Sequence, residues 1–460
     1  MAMTLGIDLA CRAAHVASLA GPDGALIWRG RSLFTRTADL EKLWRDIDCA
    51  PAELTVVLEP TRNVWIVIAA WFRRRGARVV LVPTTQSADL RAYFAKHTKN
   101  DRLDSAILAR LPLLHPEGLR EYAGDGPADP LRRIVKQRSS IAKRRAAIFH
   151  RLDAQLELLG PDWYDALGTD YGHATLQFLA RYADPNTVIR LGQARLAGFL
   201  RRYSHGHWRE GKAAELIAAA HQSLRLWDGD GMDFAELAAD IAVEADQAQV
   251  LTAQMADLDE RIANLYAEAD PAGIIRSTPG VGPVLAGIIA GRLGDPQRFT
   301  SLAAIRSYAG LVPKVNQSGT VDKPGGLTKA GDPLLRQAAW MAAEQARKFD
   351  PQLAAKYARL MAADRHHDSA VCHIATILLT RIATCWRTGE PYQVRDVDGR
   401  PLTMAEGKRI VAEHHQVAKK KTKKRYYRAT NHKADRELQK SPSAPTSRPA
   451  EHQPKPPRAA

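Results

Sequence analysis

Between residues 4 and 110 the chain runs through three strand-like stretches in succession and then alternates helix-like with strand-like segments. That order constrains the fold more than any other feature. Residues 4–8, 13–20 and 25–34 have the short, β-prone make-up of consecutive strands. Leu40, Leu43, Trp44 and Ile47 recur at helical spacing within 37–47. Residues 54–59 form a buried-type strand ending on an acid, and 63–75 a helix stopped before Gly76. A strand at 78–82 closes at Pro83, and a further helix is expected over 86–96. Three strands followed by alternating helix and strand is the order of a ribonuclease-H-like (RuvC-like) α/β fold. Such a sheet sets the ends of its first and fourth strands side by side, at the edge where α/β folds place their chemistry.

Acids stand at both of those ends. Asp8 follows Leu5-Gly6-Ile7, and Glu59 follows Val56-Val57-Leu58. Asp101 and Asp104 lie three residues apart, on one face of any helix that holds them. Four gathered carboxylates repel one another unless divalent cations neutralise them. A pair of Mg²⁺ ions is the usual arrangement for phosphodiester cleavage, and hard oxygen ligands favour Mg²⁺, with Mn²⁺ as a substitute, over zinc. Taken singly, each acid reads as a surface or capping residue; the argument rests on the set. By contrast, His366-His367-Asp368 with Cys372-His373 matches no zinc spacing. Trp65 and Trp71 sit in an apolar helix and read as core residues, not as platforms for stacked bases.

The rest of the chain is read as mainly helical. Residues 131–160 form one amphipathic helix whose apolar stripe includes Leu131, Ile134, Val135, Ile141, Ile148, Leu152 and Leu159. Its remaining surface carries Arg132, Arg133, Lys136, Arg138, Lys143, Arg144, Arg145 and Arg151, with no acid across 131–151. Such a face suits a phosphate backbone, or equally the solvated side of a coiled coil. A second heptad-like helix over 232–267 is expected to pair with it or with a copy in another subunit. Between them lies a helical insert at about 165–225. The domains are therefore expected at 1–125, 126–268 and 269–395, followed by a basic, disordered tail at 396–460.

The formal charge of +16 points to a polyanionic partner, but its placement matters. Residues 401–460 hold 15 Lys/Arg against 5 Asp/Glu, so most of the excess sits in the tail. The longest apolar run, Val64 to Phe72, is far shorter than the about 20 residues of a membrane span. Four scattered cysteines and no basic, apolar leader fit a cytoplasmic protein without a membrane partner.

A second group of motifs occupies 274–336: Pro279-Gly280-Val281-Gly282, Tyr308-Ala309-Gly310-Leu311, Gln317-Ser318-Gly319 and Thr328-Lys329-Ala330-Gly331 leading to Arg336. Gly280 and Gly282 read as the hairpin of a helix-hairpin-helix, able to present backbone N–H groups to a phosphate. Judged by its surroundings alone, Ser318 is a turn residue, because a hydroxyl is a weak nucleophile without a base or a metal. Lys329 and Arg336 are close enough in sequence to clamp a phosphate.

Together these motifs resemble a known family. Gly6-Ile7-Asp8, Leu58-Glu59-Pro60-Thr61 and Lys99 to Asp104 look like the DEDD domain of insertion-sequence transposases of the Piv recombinase type. The Pro279–Arg336 block looks like their C-terminal transposase domain. The resemblance implies that Asp8, Glu59, Asp101 and Asp104 bind Mg²⁺ and that Ser318 attacks DNA to form a covalent intermediate. It also implies homodimers or homotetramers acting on element ends and target DNA, in some members with a noncoding guide RNA. Arg62 stands where many members have glycine, which is expected to alter the local backbone. A junction-resolving nuclease using the acids alone, or a non-catalytic nucleic-acid-binding protein, are the competing readings.

Overall fold

In the computed structural model the described residues are 3–83, 86–87, 89, 100–114, 116, 119–122, 124, 129–168, 170–228, 231–314, 317–318, 321–322 and 325–417. Most of the helix expected at 86–96 lies outside them, as do Gly319 and the basic run Lys419–Arg425.

Six strands form one sheet: β1 (Met3–Asp8), β2 (His15–Ala20), β3 (Leu26–Leu33), β4 (Leu54–Leu58), β5 (Arg78–Leu81) and β6 (Arg120–Glu121). Their order is β3-β2-β1-β4-β5-β6. β2 is antiparallel to both β1 and β3, β4 is parallel to β1 and to β5, and β6 is antiparallel to β5. Order and sense are consistent with the ribonuclease-H-like arrangement. β6 spans only two residues, too few for any periodicity to announce it. On one side of the sheet, α1 (Thr37–Arg45) and α2 (Val64–Arg73) contribute Leu40, Leu43, Ile68, Trp71 and Phe72 to a core with Leu5, Ile7, Val56 and Leu58. Trp71 is thus a core residue, and Trp65 meets Tyr122 edge-on with ring centroids 5.2 Å apart.

A third helix, α3 (Asp101–Leu114), crosses the sheet at Gly6. Any side-chain carbon there would collide with the backbone of Ser105 and Ala109, so glycine is what lets the helix lie flat on β1. The Ser18 and Ser105 hydroxyls, both buried, bond at 2.8 Å in the same contact.

Two long helices follow the sheet, α4 (Asp129–Leu159) and, after the insert, α9 (Phe234–Ala269). The insert consists of α5 (Pro161–Leu167), α6 (His173–Tyr182), α7 (Pro185–Tyr203) and α8 (Glu210–Leu226). Leu152, Leu156, Leu159, Trp163, Phe178, Leu200, Leu216 and Ile241 join these helices in one core. The heptad stripes of α4 and α9 thus meet within the chain, the first of the two pairings expected.

By its internal contacts the chain forms two compact units, residues 1–271 with 286–298, and 272–285 with 299–460. This differs from the expected cut at 268/269, because part of α10 (Pro283–Leu293) packs with the first unit. Its Gly287 and Gly291 lie against Ile262 and Leu131.

The second unit holds α11 (Leu302–Tyr308), the two-residue strands β7 (Gln317–Ser318) and β8 (Val321–Asp322), α12 (Pro333–Ala346), α13 (Pro351–Ala362), α14 (His367–Thr388) and α15 (Met404–His414). α14 is long and apolar enough by composition to cross a membrane, yet Ile374, Leu378, Leu379 and Ile382 are buried within the unit. Its Arg381 pairs with the fully buried Asp350, which also accepts a 2.6 Å bond from the Tyr392 hydroxyl. His366 caps α14, and His367 Nδ1 meets the Tyr357 hydroxyl at 2.9 Å. The fold continues past the boundary expected at 395/396. Leu402 is buried, and α15 starts on a Thr403–Glu406 capping box, so the fold continues through 414.

Candidate active site

Parallel pairing of β1 with β4 sets Ile7 opposite Leu58, which makes Asp8 and Glu59 neighbours at one end of the sheet. Both are half-buried. The Glu59 carboxylate accepts a 2.6 Å hydrogen bond from the Ser87 hydroxyl, a contact with no signature in sequence. Just after Asp8 the chain turns, and the buried imidazole of His15 accepts the Ala10 N–H at 3.1 Å through Nδ1. Nε2 of the same ring lies 2.8 Å from the Thr35 hydroxyl. Burial pulls the His15 pKa below its ordinary value, favouring the neutral ring.

Asp101 and Asp104 occupy the first turn of α3. The direction of that helix follows from its contacts. Arg110 donates to the Gly24 carbonyl at 3.1 Å, in the turn beyond Ala20, and Arg29 donates to the Arg102 carbonyl at 3.3 Å. The first turn of α3 therefore points toward the sheet end that carries Asp8 and Glu59. Asp104 is half-buried and Asp101 exposed. The fold thus draws all four acids toward one end of the domain, but among the described residues no three His, Cys, Asp or Glu side chains are close enough to grip one ion. Their donors are carboxylate oxygens on partly open surface, the ligand chemistry of Mg²⁺ or Mn²⁺.

Arg62 takes a left-handed backbone, with φ of 47°. The turn after Glu59 therefore keeps a conformation natural to glycine, whereas a change of backbone was expected.

α9 ends at Ala269 and a run of turns over 271–280 leads to α10, so no helix directly precedes the hairpin. Gly280 has φ of 74° and packs on Gln345, leaving no room for a side chain, while Gly282 is open. The YAGL and TKAG motifs face each other. Asp332 N–H donates to the Tyr308 carbonyl at 2.7 Å, Thr328 to Val312 at 2.9 Å and Lys314 to Gly326 at 2.9 Å. These pairings form the lower part of an arm whose upper part is β7 and β8, with Ser318 opposite Val321. The Ser318 side chain lies outside the described residues. Arg336 braces the base of the arm, where its Nη1 donates to the Ala309 carbonyl at 2.9 Å and the Lys329 carbonyl at 3.4 Å. Lys329 is exposed, with φ of 55°.

The basic face of α4 is only partly outward. Arg138 forms a two-pronged pair with Asp259 of α9, and Arg151 pairs with Glu244 at 2.6 Å. Arg145 donates to the Thr252 hydroxyl at 3.3 Å, and Arg132 and Arg133 have partners. Lys136, Lys143 and Arg144 remain exposed.

Residues 5–161 match a DEDD-type IS110 transposase family, and residues 272–358 match the family described as Transposase IS116/IS110/IS902. The chain is 24% identical over 329 residues to the insertion element IS110 uncharacterized 43.6 kDa protein of Streptomyces coelicolor, covering 70% of this chain and 79% of that one. It is 26% identical over 248 residues to the insertion element IS116 uncharacterized 44.8 kDa protein of Streptomyces clavuligerus, covering 53% and 60%. The transposase for insertion sequence element IS1328 of Yersinia enterocolitica is 28% identical over 138 residues, covering 29% and 40%.

Proposed function

We propose, from the premise that this chain is a transposase carrying both IS110-type domains in order, that it cuts and rejoins DNA to mobilise an insertion sequence. What supports the reading is that Asp8 and Glu59 follow paired strand ends and that the first turn of α3, with Asp101 and Asp104, points to the same end of the sheet. These four residues would hold Mg²⁺, which supplies charge neutralisation and a lowered pKa at the attacking oxygen. Ser87 orients Glu59, and half-burial keeps Asp8 and Asp104 from full hydration.

In this reading Ser318 is the nucleophile. Its Oγ forms a bond to phosphorus while the bond from phosphorus to the leaving deoxyribose oxygen breaks. The Oγ proton departs to solvent, and the leaving oxygen takes one up. Phosphodiester energy is kept in the serine ester, so a free DNA hydroxyl can reverse the step on a new partner strand. Lys329 stabilises charge on the phosphate, with Arg336 assisting from the arm's base. Backbone N–H groups at Gly280 and Gly282, together with the α4 residues Arg132, Arg133, Lys136, Arg144 and Arg145, contact the nucleic-acid backbone. The active species is a homodimer or homotetramer on element ends and target DNA, and an element-encoded guide RNA belongs to the same reading. Sequencing RNA that co-purifies with the protein tests that last component.

The decisive experiment is denaturing electrophoresis of labelled DNA with the full-length enzyme and Mg²⁺. A protease-sensitive adduct should form with wild type and be lost in both Ser318→Ala and Asp101→Ala. Free cut ends with no adduct would instead identify a junction-resolving nuclease working through the carboxylates alone. Binding without cleavage would identify a non-catalytic protein.

A further inference from the structure

The insert carries a surface that the catalytic reading does not use. α7 is two helical pieces in tandem, broken at Gly192, and its second piece runs from 193 to 203. Leu196, Ala197 and Leu200 face the insert's core, while Gln193, Ala194, Arg195, Gly198, Arg201 and Arg202 are exposed. From Pro185 to Arg209 there are five arginines and no acid. Asp184, which precedes this stretch, is spent capping α7 through Asn186 and Thr187. Among the described residues no carboxylate pairs with Arg195, Arg201 or Arg202, in contrast to Arg138 and Arg151 on α4.

We propose that this outer face of α7 docks duplex DNA outside the reacting strands, with Arg195, Arg201 and Arg202 on phosphates. The inference rests on the reading that the enzyme acts on DNA. Charge complementarity argues for a polyanion. Shape and ring chemistry argue for a B-form duplex. Ala194 and Gly198 lie between the arginines on the same face, and a side-chain carbon added at Gly198 would meet nothing within 4 Å. The face is therefore slim, and the eleven-residue piece spans about 16 Å, a size that a DNA major groove admits. The deep, narrow major groove of an RNA duplex does not.

Single strands need free aromatic faces to stack on. Here the rings are already engaged. Phe199 meets Tyr182 at 4.9 Å and Tyr203 at 4.7 Å, and Arg181 lies over Tyr203 while donating to its hydroxyl at 2.7 Å.

The test uses the full-length protein and a triple variant, Arg195→Ala with Arg201→Ala and Arg202→Ala, titrated with duplex DNA across a range of salt. Loss of three phosphate contacts should make the log–log salt slope shallower by about 2.7. The matching triple Arg→Lys variant should keep most of the slope, because a phosphate contact needs only the charge. A single-stranded oligonucleotide of the same sequence should lose little affinity in the triple alanine variant. An unchanged slope on duplex DNA overturns the proposal. So does equal loss on the single strand, or equal loss in the lysine variant, which would mark a structural role. Cleavage assayed in parallel separates the two readings. Duplex binding that depends on the three arginines, in an enzyme that never cleaves, sustains this inference and removes the catalytic one. Wild type that fails to bind duplex DNA overturns both.

Discussion

Asp8 and Glu59 were legible because an apolar run ending on an acid marks a strand end, and strand order made those two ends neighbours. Ser87 and His15, which hold Glu59 and the turn after Asp8, were not. Their roles depend on contacts across the fold that no local spacing encodes. Arg62 carried a signal that pointed the wrong way. A bulky residue at a glycine position suggested a different turn, but the surrounding structure imposes the left-handed backbone at a cost of about 1 kcal/mol or more. His15 yields a prediction with a definite sign. Its folded pKa is depressed, so the unfolded chain binds a proton first as pH falls, and the ring's stabilisation is present above the ordinary histidine pKa. Stability should therefore decline as pH drops through the lowered folded value. Urea titrations at stepped pH should show this decline in wild type and a flatter profile in His15→Gln.

At the scale of elements, periodicity located α4 and α9 well, but not what their charges do. Sequence shows a basic face, and only packing reveals which residues answer acids on the neighbouring helix. Arg138 and Lys136 should consequently behave in opposite ways. Arg138 is 23% exposed and Asp259 32%, so Arg138→Ala should lower unfolding stability, by about 1 kcal/mol after allowing for solvent screening. Lys136 is exposed, so Lys136→Ala should leave the denaturation midpoint unchanged and weaken nucleic-acid binding. Equal midpoints for the two variants would refute the division. The hairpin at Gly280 shows the reverse limit: its glycines were visible, but a helix-hairpin-helix needs a helix directly ahead of them, and the chain there runs in turns.

For the whole molecule, the order of domains was legible and their edges were not. Residues 396–414 are poorer in apolar residues than the chain as a whole, and while Leu402 is buried, Val397 and Met404 are exposed. Composition alone therefore assigned them to the tail. Truncation after residue 417 should preserve the melting temperature and reduce the salt slope of nucleic-acid binding without moving insertion sites. Truncation after residue 400 should lower the melting temperature, because it removes Leu402 and α15. Relocated insertion sites in the shorter loss, read by sequencing junctions, would show that the tail selects targets.

The arm that carries Ser318 behaves mechanically as a cantilever. Its root is fixed by the Tyr308–Asp332 bond and by Arg336, and among the described residues its outermost paired strands are β7 and β8. Any angular play at the root is multiplied toward β7 and β8, so under the proposed mechanism stiffness at the root decides how well the Ser318 hydroxyl is held for attack. Reaction rate in such a device is governed by stiffness at a place where no chemistry occurs. Wear on the root would look like damage to the catalyst.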